Sequence, residues 1–150
     1  MQTNYEKLKK DPRVLQMDNY IQHGRTTTYE HCLHVAAISE RINRKLHLHA
    51  NQDDLLTGAL LHDFFLYDWH DLTLKDLHGF KHPKYALRNA KRNFRINKNI
   101  QNIIQSHMFP LTIKPPKYLD GWIITYCDKK ISIKEFNAVK WFIKSFILKK

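Results

Sequence analysis

At 150 residues, with 43% hydrophobic and 26% charged residues, the chain has the length and composition of one folded globular domain and not of a disordered or fibrous segment. Four glycines, five prolines and two cysteines exclude a low-complexity linker and a disulfide framework. The formal net charge of +11, from 25 Lys and Arg against 14 Asp and Glu, favours contact with polyanions such as nucleic acid, nucleotides or anionic lipid, without naming a reaction.

These features predict a single domain over 1–150. Cys32 and Cys127 have no second thiol at metal-knuckle spacing, which fits a reducing cytoplasm. The opening MQTNYEKLKKDPRV lacks the apolar run of a signal peptide, and no stretch reaches the ~20 apolar residues that span a bilayer. A cytoplasmic protein without a membrane partner is the expectation.

In chain order, Asp11-Pro12 predicts an N-cap and first helical position, with Gly24 as the stop after Tyr20-Ile21-Gln22-His23. Thr26, Thr27 and Thr28 offer caps for a long helix to about Leu46. Asn51 caps a nearly all-apolar helix carrying Leu55, Leu56, Ala59, Leu60 and Leu61, which predicts a central position. Residues 64–81 show no sustained period and read as a loop. Helical patterns return from about Pro83 to Phe94 and from Lys98 to Met108, before Pro110, Pro115 and Pro116 interrupt the chain. Two closing helices, about 118–131 and 133–148, complete an all-α bundle of about six to seven helices; no alternating strands are evident. In the last helix Lys129, Lys130, Lys134, Lys140, Lys144, Lys149 and Lys150 interleave with Phe136, Val139, Phe142, Ile143, Phe146 and Ile147, the pattern of an amphipathic helix with a solvated basic edge.

Against this background certain polar residues fall on apolar stripes, where burial is costly unless a partner or metal compensates. His31 shares a face with Val35, Ile38 and Ile42. His62 and Asp63 follow Leu55, Leu56, Ala59 and Leu60 at helical offsets. His107 completes the run Ile100, Ile103, Ile104, and Asp128 lies between Ile124 and Ile131. A lone inward histidine is ordinarily a hydrogen-bonded core residue; several such groups together point to a divalent metal. Imidazole and carboxylate donors suit Mn, Fe, Zn or Mg, and the lack of thiolates argues against a structural zinc knuckle. His34 lies on a flank with Arg41 and Lys45, and His47 and His49 fall in a polar turn, so none of the three is a candidate. His23, His70 and His78 have no face to read.

The order His31, His62-Asp63, His82, His107, Asp128 resembles the HD superfamily of metal-dependent phosphohydrolases, over about residues 23–135. TTTYEHCLHVAAIS is similar to its first-histidine helix, LLTGALLHDFFLYD to the helix ending in the His-Asp doublet, and WIITYCDKK carries the downstream aspartate. The HD-GYP signature is absent, and small single-domain members of the YqeK type are closer in layout. The resemblance implies a primary metal site of His31, His62, Asp63 and Asp128, with Asp63 bridging to a second ion. Two-metal members add two histidines after the doublet, for which HGFKHPKYALRNA offers His82, with His78 as its rival, and IIQSHMFPLT offers His107.

One or two divalent ions would then activate a hydroxide against a phosphoester or phosphoanhydride of a small substrate, most simply a nucleotide. His62 and Asp63 stand at the centre of that chemistry. Arg25, Lys81 and Lys84 flank the ligands and are candidates for holding phosphate. Asp68 and His70, in FFLYDWHD, are candidates for proton transfer at the leaving group. Two other readings compete: a basic helical module that binds nucleic acid, and an HD-fold sensor that binds nucleotide without turnover.

Overall fold

The computed structural model describes residues 4–71 and 78–148, so the expected loop over 64–81 lies partly outside the described residues. Helices α1 (Asn4–Leu8) and α2 (Pro12–Leu15) lead through a 3-10 turn (Gln16–Asn19) into strands β1 (Ile21–His23) and β2 (Thr26–Thr27). Then follow α3 (Thr28–Lys45), α4 (Gln52–Leu61), α5 (His78–Asn93), α6 (Lys98–Ser106) and α7 (Leu119–Leu148). The all-α class holds, with one small antiparallel hairpin added.

Local chemistry explains most helix starts. Asp11, Thr27, Asn51 and Asn97 have extended backbones, and each side chain accepts a backbone N–H from the first turn of α2, α3, α4 or α6. Each such bond satisfies a donor the helix itself leaves orphaned and contributes about 1 kcal/mol. At α3 the bond is reciprocal, because Glu30 accepts from the Thr27 N–H at 2.9 Å.

Three expected boundaries are corrected. The first predicted helix, which was to run to His23, ends early, and Gly24 at φ +59 turns a hairpin instead of ending a helix. The predicted helix from Pro83 begins at His78 and carries Pro83 within it. The two closing helices are one 30-residue helix, since nothing at 131–133 breaks the backbone ladder. Its basic edge is exposed at Lys130, Lys134, Lys140 and Lys144, as expected, but the apolar residues interleaved with it are not all covered. Beyond the bundle, Phe136, Ile143 and Ile147 are exposed, while Lys129 is half-buried and donates to the His107 carbonyl at 3.2 Å.

Two apolar clusters form the interior. One joins Cys32, Leu60, Leu61, Phe64, Ala86 and Ile104; the other joins Val35, Ala59, Ile103, Ile124 and Cys127. Helices α3, α4 and α6 contribute to both, so their facing stripes are held rigidly from two sides. Asn89 on α5 donates to the carbonyls of Phe64 and Phe65 at 3.1 and 3.0 Å, tying down the turn that leaves α4. No helix among the described residues is long and apolar enough to cross a membrane.

The hairpin packs tightly against α7 at Gly24. A Cβ on Gly24 would lie 2.1 Å from Val139 Cγ2, in a left-handed backbone conformation that L side chains rarely adopt. Gly24→Ala is therefore expected to lower stability in urea unfolding by about 1–3 kcal/mol. Val139→Ala in the same chain should recover part of the loss; no loss in the single variant would mean the hairpin does not dock as described.

Candidate metal centre

The six side chains singled out on apolar stripes and in the HD-like order meet in space. His31 comes from the first turns of α3, His62 and Asp63 from the end of α4, His82 from α5, His107 from the end of α6, and Asp128 from α7. All are buried, with exposures of 0% for His31, His62 and His107 and at most 6% for the rest. One set of donor atoms, from His31, His62, Asp63 and Asp128, lies within 4.8 Å of one another, and a second comes from Asp63, His82 and His107. Asp63 belongs to both.

Helix ends dictate how the imidazoles are oriented. His62 and His107 stand at the C-caps of α4 and α6, where the last carbonyls lack intrahelical partners. The Nδ1–H of His62 donates to the Ala59 carbonyl at 2.6 Å, and that of His107 to the Ile104 carbonyl at 2.8 Å. His82 Nδ1 likewise meets the His78 carbonyl at 2.8 Å. With each ring proton held on Nδ1, each Nε2 presents a lone pair to the interior. His82 Nε2 and His107 Nε2 then face each other at 2.9 Å.

The carboxylates have the same unfinished character. Asp63 Oδ1 lies 3.1 Å from His82 Nε2 and 3.3 Å from His107 Nε2, yet neither contact has hydrogen-bond geometry, so this oxygen and His62 Nε2 are buried without partners. Asp63 Oδ2 is 3.4 Å from His62 Nε2 and 3.7 Å from His31 Nε2; Asp128 Oδ1 is 3.0 Å from His31 Nε2 and 3.4 Å from His62 Nε2. Donors at about 2.1 Å around one cation stand about 3.0 Å apart in an octahedron and about 3.4 Å apart in a tetrahedron. Apart from the 3.7 Å between His31 Nε2 and Asp63 Oδ2, these separations fall near those edges, and a divalent cation in each group would satisfy the orphaned His62 Nε2 and Asp63 Oδ1. The residues present therefore fit one metal in each group, with Asp63 between them.

Two outer contacts went unforeseen. Glu135 Oε2 accepts from His31 Nδ1 at 2.9 Å, the carboxylate support that a ligand histidine requires where no helix-end carbonyl is available. Gln22 Nε2 donates to Asp63 Oδ2 at 2.8 Å, while its carbonyl accepts from Thr28 Oγ1 at 3.2 Å. Glu135 follows Asp128 by two helical turns, a relation hidden when α7 is divided. Gln22 is the inward residue of a strand whose apolar neighbour Ile21 points outward, so its signal needed the hairpin to be recognised.

Other candidates fall elsewhere. His78 stacks between Trp69 and His82 and bonds Tyr67 Oη at 2.8 Å; it belongs to neither donor set, which leaves His82 as the one that joins. Asp68 and His70 are exposed and paired with each other at 3.3 Å, and neither belongs to a donor set. Lys81 and Lys84 are exposed on α5. At about 100° per residue Lys84 points nearly opposite to His82. Arg25 sits in the hairpin turn and lines a cavity between the hairpin, α3 and α7, outside both donor sets. His23, unread from sequence, packs edge-on against His31 with ring centroids 5.8 Å apart.

Burial opposes charge on His31, but the bonds to Asp128 and Glu135 overcome it and raise its pKa to about 10. Burial likewise opposes charge on His62, and the Asp63 carboxylate carries it well above the usual imidazole value. Burial would raise Asp63 and Asp128, yet the facing imidazoles hold both well below the usual carboxylate range. His78 is pushed down to about 3 by burial and by His82. Without metal, protons thus take over the cation's task.

Residues 28–132 match the family of HD domains, and the chain belongs to that family. It is thereby placed in a superfamily of metal-dependent phosphohydrolases. No curated protein and no solved structure matches the chain.

Two consequences are measurable. Metal-reconstituted protein should hold about two transition-metal ions per chain by elemental analysis, about one in His107→Ala and close to none in Asp63→Ala. Unchanged content in Asp63→Ala would remove the bridging role. The second concerns pH. His31 has a folded pKa above its unfolded 6.5, so its contribution to stability is complete below about pH 6.5 and is lost as pH rises toward 10. The Tm of chelator-treated protein should fall from pH 6.5 to 9, while protein saturated with Mn2+ shows no such fall, because a ligated imidazole is already neutral.

Proposed function

We propose that the chain is a two-metal phosphohydrolase that cleaves a phosphoester or phosphoanhydride bond of a small substrate, a nucleotide being the simplest that suits its charge. The observation that carries this reading is the meeting of three backbone-locked imidazoles around Asp63, whose orphaned Oδ1 faces the Nε2 atoms of His82 and His107 and whose Oδ2 faces that of His62. A structural site would need only a closed shell of donors to one ion; two donor sets sharing a carboxylate suit paired ions acting on one phosphoryl group.

Divalent metal, when bound, supplies Lewis acidity and an acidified water. The remaining tasks belong to the protein. His31, His62 and Asp128 would hold one ion and His82 and His107 the other, with Asp63 a member of both donor sets. Glu135 and Gln22 fix the orientation of His31 and Asp63 by side-chain bonds. Burial of all six donors excludes bulk water and keeps their geometry rigid. Lys129, next to Asp128 and bonded to the His107 carbonyl, places a cation beside the donors.

A basic nucleic-acid module would leave the buried orphaned acceptors without purpose, so it is the weaker reading. The test is phosphate release from a panel of phosphoesters and nucleotides. Release should require Mn2+, Fe2+, Zn2+ or Mg2+, stop on chelation, fall to background in Asp63→Ala, and fall about 10- to 100-fold in Glu135→Gln. Nucleotide binding without release would support the sensor, and salt-steep binding of RNA that survives chelation would support the module.

A further inference from the structure

Two cavities, of about 720 and 600 Å³, succeed one another along α3 and α7. On α7 the first is lined by residues between Ile131 and Val139 and the second by residues between Trp122 and Lys130, while Ile38 and Arg41 on α3 border both. They are therefore consecutive parts of one open trough. At 1.5 Å per residue its α7 wall, from Trp122 to Val139, runs about 27 Å. None of the six metal donors lines either part, so the metal chemistry gives this trough no role.

Arg25, Arg41 and Lys134 line the first part, and Arg41, Lys45 and Lys130 the second. Of these, Arg41, Lys45, Lys130 and Lys134 are exposed and make no ion pair among the described residues. The lone carboxylate lining either part, Glu135, already bonds His31 and stands 3.4 Å from His34 Nδ1. Cations gathered without counter-ions repel one another, a cost that a bound polyanion removes. The second part also holds Trp122 and Tyr126, one turn apart on α7 and 47% and 57% exposed. Lys130 Nζ stands 5.8 Å over the Tyr126 ring, so an aromatic face and a cation are offered together.

We infer that this trough binds a single strand of nucleic acid, with phosphates along Arg41, Lys45, Lys130 and Lys134 and bases against Trp122 and Tyr126. A concave wall does not suit a flat lipid surface, and an acidic peptide would leave the exposed aromatic faces without a stacking partner. A duplex keeps its bases stacked on one another and offers phosphates alone. About 27 Å accommodates roughly four nucleotides, the short end of single-strand sites. The inference does not depend on the phosphohydrolase reading: phosphate release reports the metal centre, and strand binding stands beside it on a separate surface.

The probe is a fluorescently labelled oligothymidine of about ten nucleotides, followed by anisotropy in the presence of chelator so that no metal chemistry contributes. With four phosphates neutralised, affinity should fall roughly 50-fold between about 50 and 200 mM salt. Arg41→Gln and Lys130→Gln, both at exposed positions, should each weaken binding and make the log–log salt slope shallower by roughly 0.7. Trp122→Ala should weaken binding about ten-fold, and Trp122→Phe should keep most of the affinity. Lys84→Gln, an equal loss of charge on α5, should leave affinity and slope unchanged, because screening confines each exposed cation to its own surroundings. A duplex of the same length should bind at least about ten-fold more weakly than the single strand. Equal losses in Arg41→Gln and Lys84→Gln would reduce the effect to net charge and overturn the inference. So would tight binding that is indifferent to Trp122→Ala, or that duplex or polyglutamate matches, since the trough would then take polyanions of any kind. Absence of binding at about 50 mM salt overturns it outright.

Discussion

Six acidic and imidazole side chains share an interior with leucines, isoleucines and phenylalanines, and their acceptor atoms point at one another. Burying even one unpaired acceptor costs about 1–3 kcal/mol, and charged ones cost more. No packing of apolar neighbours compensates for this. Something positive must sit among them, either protons, as the raised His31 and His62 indicate, or metal ions. The rest of the molecule can be understood as the framework that holds these groups in place until that charge arrives.

The framework works largely through helix termini. A helix end leaves carbonyls without partners, and α4 and α6 use theirs to take the ring proton of a histidine one turn on. Backbone geometry thereby decides the tautomer, and the tautomer decides where the lone pair points. His31 lies near the start of α3 and has no such carbonyl, so a side chain from α7 replaces it. That difference explains why α7 must run unbroken past Asp128: the turns beyond it bring Glu135 over the imidazole. The same turns build one wall of a cavity between the hairpin and α3, so one long helix borders both the donor cluster and that cavity.

The positive charge is likewise divided in space. Lys81 and Lys84 are exposed on α5, Arg25, Arg41 and Lys134 line the cavity, and Lys129 is half-buried against the His107 carbonyl. Arg25, Arg41 and Lys134 are exposed too, and exposed charges are screened within about 8–10 Å, so each acts only on what lies close to it. Net charge thus says little until each cation has a position.

Much of this was determined by sequence alone, for a physical reason. Capping bonds and apolar periodicity act within a few residues, so Asp11, Asn51 and the run Thr26 to Thr28 could be read as caps, and His31, His62, Asp63, His107 and Asp128 as inward polar groups, while the structure chose Thr27 among the three threonines. His82 needed the resemblance in addition, since its helix was expected to start one residue later. What tertiary structure decided depends on residues far apart in the chain. The choice of His82 over His78 follows from the turn of α5 and the position of α6, and the role of Gln22 from a hairpin too short to show alternation. Glu135 acquires its role because α3 lies against α7, 104 residues away in sequence. Local patterns can mark which groups are buried; only packing determines which of them meet.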